Sequence, residues 1–220
     1  MRQSFLVSIM VLSSIAAARA DIIYQFNVNT GSISGTVGSL DFNFNPGPLV
    51  TQAATLDILD FGSDGTLAGG PSITGDVSGG PLPTTLTFDN GSAFNDYFEG
   101  FTFGSSLTFN VRLYGPAVNS PDGISTSGST FAFSMFSDAA GTVPALTSDL
   151  KDGFATTIDV NLDGTATVTN FSSQTSIGSP VTAVPEPSSL SLLGTALTLG
   201  AFLLPKHCCR RPKDKVLSDI

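Results

Sequence analysis

Tryptophan is absent from this chain, histidine occurs once and cysteine twice, and each shortage closes off a class of chemistry. The lone histidine, His207, and the two cysteines, Cys208 and Cys209, sit together near the C-terminus. The long body before them therefore has no imidazole for a Ser-His-Asp triad or for a His-ligated zinc or copper site. It also has no thiol for nucleophilic catalysis or for a disulfide. Its core must hold it together unaided. A body of about 165 residues is large enough for that, because a chain of this size buries roughly 70% of its unfolded surface. One domain is the economical count.

Positive charge is scarce as well. Between residues 21 and 183 only Arg112 and Lys151 are basic, against fifteen acidic residues, a formal charge of about −13. Such a surface repels nucleic-acid phosphates and anionic lipid heads, so nucleic acid is excluded as a partner, and divalent cations or neutral polymers fit better. With no tryptophan, and with Tyr24, Tyr97 and Tyr114 as the only tyrosines, exposed stacking platforms for sugars are few. No stretch of the body keeps a helical period either.

What the body does have is period-two alternation. Residues 24–29, 40–44, 107–113 and 158–162 each place apolar side chains on one face and Thr, Asn or Asp on the other, the pattern of half-buried strands. Shorter runs recur at 55–61, 84–88, 130–136 and 166–171. Between them lie Asp64-Gly65, Asn90-Gly91, Asp122-Gly123, Asp152-Gly153 and Asp163-Gly164, with Gly and Pro clusters at 69–71 and 79–83. Eight to ten short strands with tight turns predict an all-β, antiparallel β-sandwich over residues 21–180, jelly-roll-like, with phenylalanine filling the space between sheets. One hairpin is predicted in detail. Residues 157–161 and 165–169 flank Asp163-Gly164 in a primed turn, with Ile158, Val160, Leu162, Ala166 and Val168 sharing a buried face.

The two ends read as address labels. Arg2, an apolar core at 5–17 and the small-residue site Ala18-Arg19-Ala20 match a secretory signal peptide over 1–20, cut by signal peptidase to leave Asp21 first; a retained anchor or a buried helix is the alternative. At the other end a linker at 181–187 contains Val184, Pro185, Glu186 and Pro187. An apolar segment at 188–205 follows, then a basic tail at 206–220 with Lys206, Arg210, Arg211 and Lys213. As a helix the 17 residues 188–204 would be about 26 Å long, against a hydrocarbon core of about 30 Å, so a single transmembrane helix is expected, its mismatch covered by snorkelling cations. Positive residues stay cytoplasmic, which puts the body outside.

Pro185-Glu186-Pro187, a short span and a terminal cationic cluster resemble the PEP-CTERM sorting signal of bacterial surface proteins. That resemblance implies processing by an exosortase, a transient stay in the inner membrane, and transfer to the cell surface. The tail departs from the pattern in that His207, Cys208 and Cys209 interrupt its cations and the chain runs on to Ile220. The body is also similar to uncharacterised proteins bearing this signal, in segments 38–47, 94–104 and 120–123, a likeness that implies no activity. A GPI signal is disfavoured by the cationic end, and no Leu-Pro-x-Thr-Gly sortase segment precedes the span. A single-pass anchor that is never cut stays open.

Carboxylates are the remaining source of catalysis. Glu99 is the only glutamate of the body and Asp96 lies three residues earlier, but an acidic loop between strands explains both as solvated charges. Tyr97 between them is the best candidate for an exposed aromatic, the competing reading being a core residue with its hydroxyl at the edge. Asp57, Asp60 and Asp64, or Asp163 with Asn161, could offer oxygens to calcium, although neither group has the Asp-x-Asp-x-Asp-Gly loop and turn formation accounts for them. His207, Cys208 and Cys209 match zinc spacing poorly, so no metal or other cofactor is expected. Asn90 and Asn170 head glycosylation tripeptides, a short pattern. The sequence thus leads to an exported, non-enzymatic surface or extracellular-matrix protein associated with exopolysaccharide. A carbohydrate- or calcium-binding module and a secreted carboxylate-dependent hydrolase are the alternatives.

Overall fold

Nearly all regular structure in the computed structural model is extended chain, and it describes residues 20–183. The expectations placed on Ala18, on Val184, Pro185, Glu186 and Pro187, on the span, and on Lys206, Arg210, Arg211 and Lys213 lie outside the described residues. Among the described residues no helix is long and apolar enough to cross a membrane.

In chain order the strands are β1 (Asp21–Asn29), β2 (Val37–Pro46), β3 (Thr55–Ser63), β4 (Thr66–Leu67), β5 (Ser72–Thr74), β6 (Val77–Gly79) and β7 (Leu86–Asp89). There follow β8 (Asp96–Thr102), β9 (Ser106–Tyr114), β10 (Ser129–Phe136), β11 (Phe154–Val160), β12 (Ala166–Asn170), β13 (Thr175–Ile177) and β14 (Val181–Ala183). A single turn of helix at Pro116–Asn119 and a 3-10 turn at Gly31–Ile33 interrupt them. Every pairing within the sheets is antiparallel. One sheet runs β13-β1-β9-β3-β7-β6 with β14 also on β1; the other runs β12-β11-β10-β2-β8-β4 with β5 also on β8.

Alternation decides what each strand contributes. Tyr24, Phe26 and Val28 of β1 and Leu107, Phe109, Val111 and Leu113 of β9 turn inward from the first sheet, and Leu40, Phe42, Phe44, Phe131 and Phe133 from the second. Phe26 stacks on Phe109 with centroids 4.6 Å apart, and Phe109 meets Phe42 at 5.3 Å and Phe133 at 5.0 Å across the gap between sheets. Each such ring removed from water contributes about 1.5–3 kcal/mol, with about 0.5–1.5 kcal/mol more for a favourable ring pair. This phenylalanine layer is what holds a body without disulfides.

The registers give the sandwich two ends. Asp21 pairs with Ala183, Ile22 with Leu113, Thr55 with Tyr114, Ser129 with Pro46 and Val160 with Ala166. Connections 47–54, 75–76, 90–95, 115–128 and 161–165 therefore gather at the end that carries Asp21 and Ala183. Asn90 ties them together, its amide donating to the carbonyl of Gln52 at 2.9 Å and to Ser129 Oγ at 2.8 Å, while Thr126 and Ser127 N–H groups donate to Val50 O. Connections 30–36, 103–105, 137–153 and 171–174 occupy the opposite end.

Three expectations need correcting. The β11–β12 hairpin forms with the anticipated facing of Ile158 and Val168, but Gly164 N donates to Asn161 O at 3.0 Å and Asn161 N to Thr165 O at 2.8 Å, closing a three-residue loop. Only Gly164 takes positive φ, at 80°, so this is not a primed turn. Leu162 consequently falls in the loop and is 50% exposed instead of buried. The acidic loop expected at 96–99 is strand β8, central enough to pair with β2, β4 and β5. Finally, residues 181–183, expected to open the linker, form β14 on β1.

Candidate functional site

Strand β8 sends Asp96, Tyr97 and Glu99 to different places, because successive side chains of a strand point to opposite faces. Tyr97 and Glu99 both turn inward, with 0% and 2% of their surface exposed. Of the two readings of Tyr97, the core residue holds and the exposed aromatic does not, with the hydroxyl buried instead of lying at the edge. The Tyr97 hydroxyl donates to Glu99 Oε2 and accepts from Leu82 N–H at 3.0 Å, while Gly69 N–H donates to Glu99 Oε1 at 3.1 Å. Burial, with the carboxylate beside it, raises the Tyr97 hydroxyl well above its ordinary value. These bonds tie the 69–82 stretch, which carries β5 and β6, to β8. A carboxylate engaged in this way braces the fold and presents nothing to a substrate.

Asp96 faces the other way. It lies on the outer face of the second sheet, where its carboxyl is hydrogen-bonded to that of Asp41 from β2, and Asn43 Nδ2 donates to Asp41 Oδ1 at 2.7 Å. The 137–153 connection shields this face. Ser39 Oγ donates to Asp138 O at 3.0 Å, and Gly141 sits so close that a Cβ on it would lie 2.7 Å from the Phe98 ring. Burial and the neighbouring Asp96 push Asp41 up to about 9, and burial raises Asp96 as well. Two carboxyls sharing a proton are in direct contact, closer than the roughly 5 Å or more that flanks a glycosidic bond. Their geometry is that of a proton-sharing pair between neighbouring strands.

A second polar group decorates the outer face of the first sheet. Asp57, 2% exposed, accepts from Arg112 across the β3–β9 pairing and from Thr87 Oγ1 at 2.8 Å, and the Arg112 guanidinium lies 4.7 Å from the centroid of the Tyr114 ring. One of the two cations of the body is thus consumed in neutralising a buried carboxylate. The remaining acidic residues raised for calcium have partners too. Asp60, held at φ 53° by a bulge in β3, accepts from Asn110 Nδ2 at 2.9 Å. Asp64 accepts from Ser105 N, Ser105 Oγ and Ser106 N, and these bonds hold its carboxyl well below the usual range. Asp163 accepts from Thr165 N at 2.9 Å. Among the described residues no three His, Cys, Asp or Glu side chains gather as a metal site.

No family model, curated protein or solved structure matches this chain. Its surface must speak for itself.

Two open depressions lie at the end opposite Ala183 and meet at Gln174. One, of about 720 Å³, is lined by Thr147, Ser148, Asn170, Phe171 and Ser173; the other, of about 300 Å³, by Asn27, Asn29, Ser105, Ser106 and Thr108. Their walls carry hydroxyls and amides and no charged side chain. By contrast the niche at the Ala183 end, between Thr51, Ser125 and Leu162, holds about 10 Å³, barely one water. The depressions were not legible in the sequence, since their polar residues come from four separate segments. Asn90 and Asn95 were missed for a related reason: each reads as a turn residue, yet each is buried and bonded to two or more distant backbone groups.

Proposed function

We propose that this protein is an exported, non-enzymatic surface or matrix module, delivered by its C-terminal signal to exosortase-type sorting and displayed from one end. The observation that carries the reading is the pairing of Asp21 with Ala183. The residue expected to become the mature N-terminus and the last residue before the sorting motif are neighbours, so leader removal and tail processing would act at one pole of a finished sandwich. The buried carboxylates support a structural role, since Glu99 and Asp57 are spent on bonds within the fold. The strand orders β1-β9-β3-β7 and β2-β8-β4, with the chain alternating between sheets, support a jelly roll extended by β10, β11 and β12.

The test is processing in an exosortase-bearing host. Intact mass of the surface fraction should show a species starting at Asp21 and cut near residue 185, and replacing Pro185, Glu186 and Pro187 by alanine should leave the full tail in the inner membrane. Recovery of both forms from the cytosol defeats the reading. Membrane retention of both forms turns it into a permanent anchor.

The uncharged depressions favour a second reading, carbohydrate binding at the pole away from the tether. Neutral hydroxyl and amide linings suit neutral polysaccharide on an otherwise acidic molecule. A glycan screen with the full chain, with Gln174→Ala as the variant that should lose the signal, decides it.

A further inference from the structure

The end of the sandwich that carries Ala183 is also its most apolar. Among the described residues ten large apolar side chains are exposed, and five of them sit on the connections at this end: Leu49 (66%), Val50 (66%), Phe94 (52%), Ile124 (79%) and Leu162 (50%). Four of the five connections there contribute at least one, and the fifth, the Gly75-Asp76 turn between β5 and β6, contributes a further carboxylate. The opposite end shows Val37, Val143 and Leu150. Exposed aliphatic and aromatic tips cost little singly, but a set drawn from four neighbouring loops of one pole marks a contact surface. The connections that bear them are held firmly, by the Asn90 bonds and by Gln52, whose side chain donates to Ser120 O at 3.0 Å and accepts from Asp122 N at 2.9 Å.

The length of chain beyond Ala183 says what this surface meets. Four residues, 184–187, separate it from the apolar segment that begins at Ser188. Fully extended, four residues reach about 14 Å. If that segment enters a bilayer, as the proposed function holds, Ala183 cannot lie farther than this from the lipid surface, and the loop tips beside it are the nearest part of the body.

We propose that this pole rests on the lipid surface, with Leu49, Val50, Phe94, Ile124 and Leu162 among the headgroups of neutral lipids. The lipid must be neutral because Asp122 and Asp163 lie on the same connections as Ile124 and Leu162, and no lysine or arginine of the body sits on those connections. The contact is shallow and weak by itself, and the tether makes it intramolecular. It orients the body, holding the uncharged depressions away from the membrane. The inference rests on the tail being a membrane anchor, and the experiment separates the two.

The absence of tryptophan allows one probe per variant. Ile124→Trp and Phe94→Trp replace exposed side chains at the proposed contact, and Leu150→Trp, at a residue 75% exposed on the opposite end, is the control. The full chain of each is reconstituted into phosphatidylcholine vesicles containing doxyl-labelled lipid. Emission at 124 and 94 should fall about twofold and shift to the blue, that at 150 should not change, and replacing a third of the lipid with phosphatidylglycerol should weaken the quenching. Vesicle flotation reads the anchor separately. A chain that floats with tryptophan 124 unquenched overturns the proposal alone, as does shielding of 124 that follows protein concentration and comes from a second copy. A chain that does not float overturns the anchor and the proposal with it.

Discussion

The hydroxyl of Tyr97 donates to the carboxylate of Glu99 two residues along the same strand, both side chains inside the sandwich. Leu82 N–H and Gly69 N–H complete the cluster, so removing either partner strands buried polar groups. Tyr97→Phe and Glu99→Ala should each cost about 1–3 kcal/mol in urea unfolding, and Glu99→Gln, which keeps an acceptor, should cost less. A double variant losing less than the sum of the singles would show that the two act as a unit. Equal, negligible losses would remove the cluster from the account of the fold.

Asp41 and Asp96 make stability fall with rising pH. The fold keeps the Asp41 proton up to about 9, whereas an unfolded chain releases it near pH 4, so between these values the native state binds the extra proton. Its contribution is complete below the unfolded value and is lost as pH climbs, with a slope of at most about 1.4 kcal/mol per pH unit. Asp64 works oppositely. Its lowered carboxyl supports the fold above the ordinary carboxylate range and loses that support only in strong acid. Melting temperature should therefore peak in mild acid and decline toward pH 8, and Asp41→Asn should flatten the decline. A wild-type profile level from pH 5 to 8 contradicts the shared proton.

Of the two ion pairs among the described residues only one matters. Arg112 is the charged partner of a carboxylate that is 2% exposed, so Arg112→Leu should destabilise by about 3–5 kcal/mol through the unpaired charge it leaves. Lys151 reaches Asp152 at 3.4 Å in open solvent, and Lys151→Ala should shift stability by less than about 0.5 kcal/mol. Denaturant midpoints compare them directly.

Asn90 accepts from Ala54 N–H at 2.9 Å and donates to Gln52 and Ser129. Asn90→Ala should cost about 2–4 kcal/mol, since several buried groups lose their partner together. With its amide nitrogen so engaged, Asn90 should also carry no glycan when the chain passes through a glycosylating host, which intact mass would report.

How much of this was written in the sequence depended on whether inward positions were apolar. Strands β1, β2, β9 and β10 alternate cleanly and were anticipated within a few residues, and the paired Phe and Leu of their inner faces are the core. Strand β8 does not show itself in the sequence because Glu99 stands at an inward position where alternation calls for an apolar residue; its carboxylate is satisfied by Tyr97 and Gly69, partners that only the folded chain assembles. The short strands β4, β5 and β6 lie among glycines and prolines and are held by pairing with β8 and β7, a tertiary effect without local periodicity. The Asp163-Gly164 hairpin was located correctly, and its loop was one residue longer than expected because only Gly164 accepts positive φ. The strand also parts Asp96 from Tyr97 and Glu99, because neighbours on a strand point to opposite faces, so the three cannot form one ligand contact.

The register that sets Asp21 opposite Ala183 makes the body a ring lacking one closure. Partnered positions on adjacent antiparallel strands have their Cα atoms about 5 Å apart, a gap that a linker of two or three residues bridges. A head-to-tail cyclised or circularly permuted version, reopened at an exposed loop such as 137–153, would need no rearrangement of either sheet. Proteolytic release at the tail would, by the same token, liberate a particle whose shape is already complete.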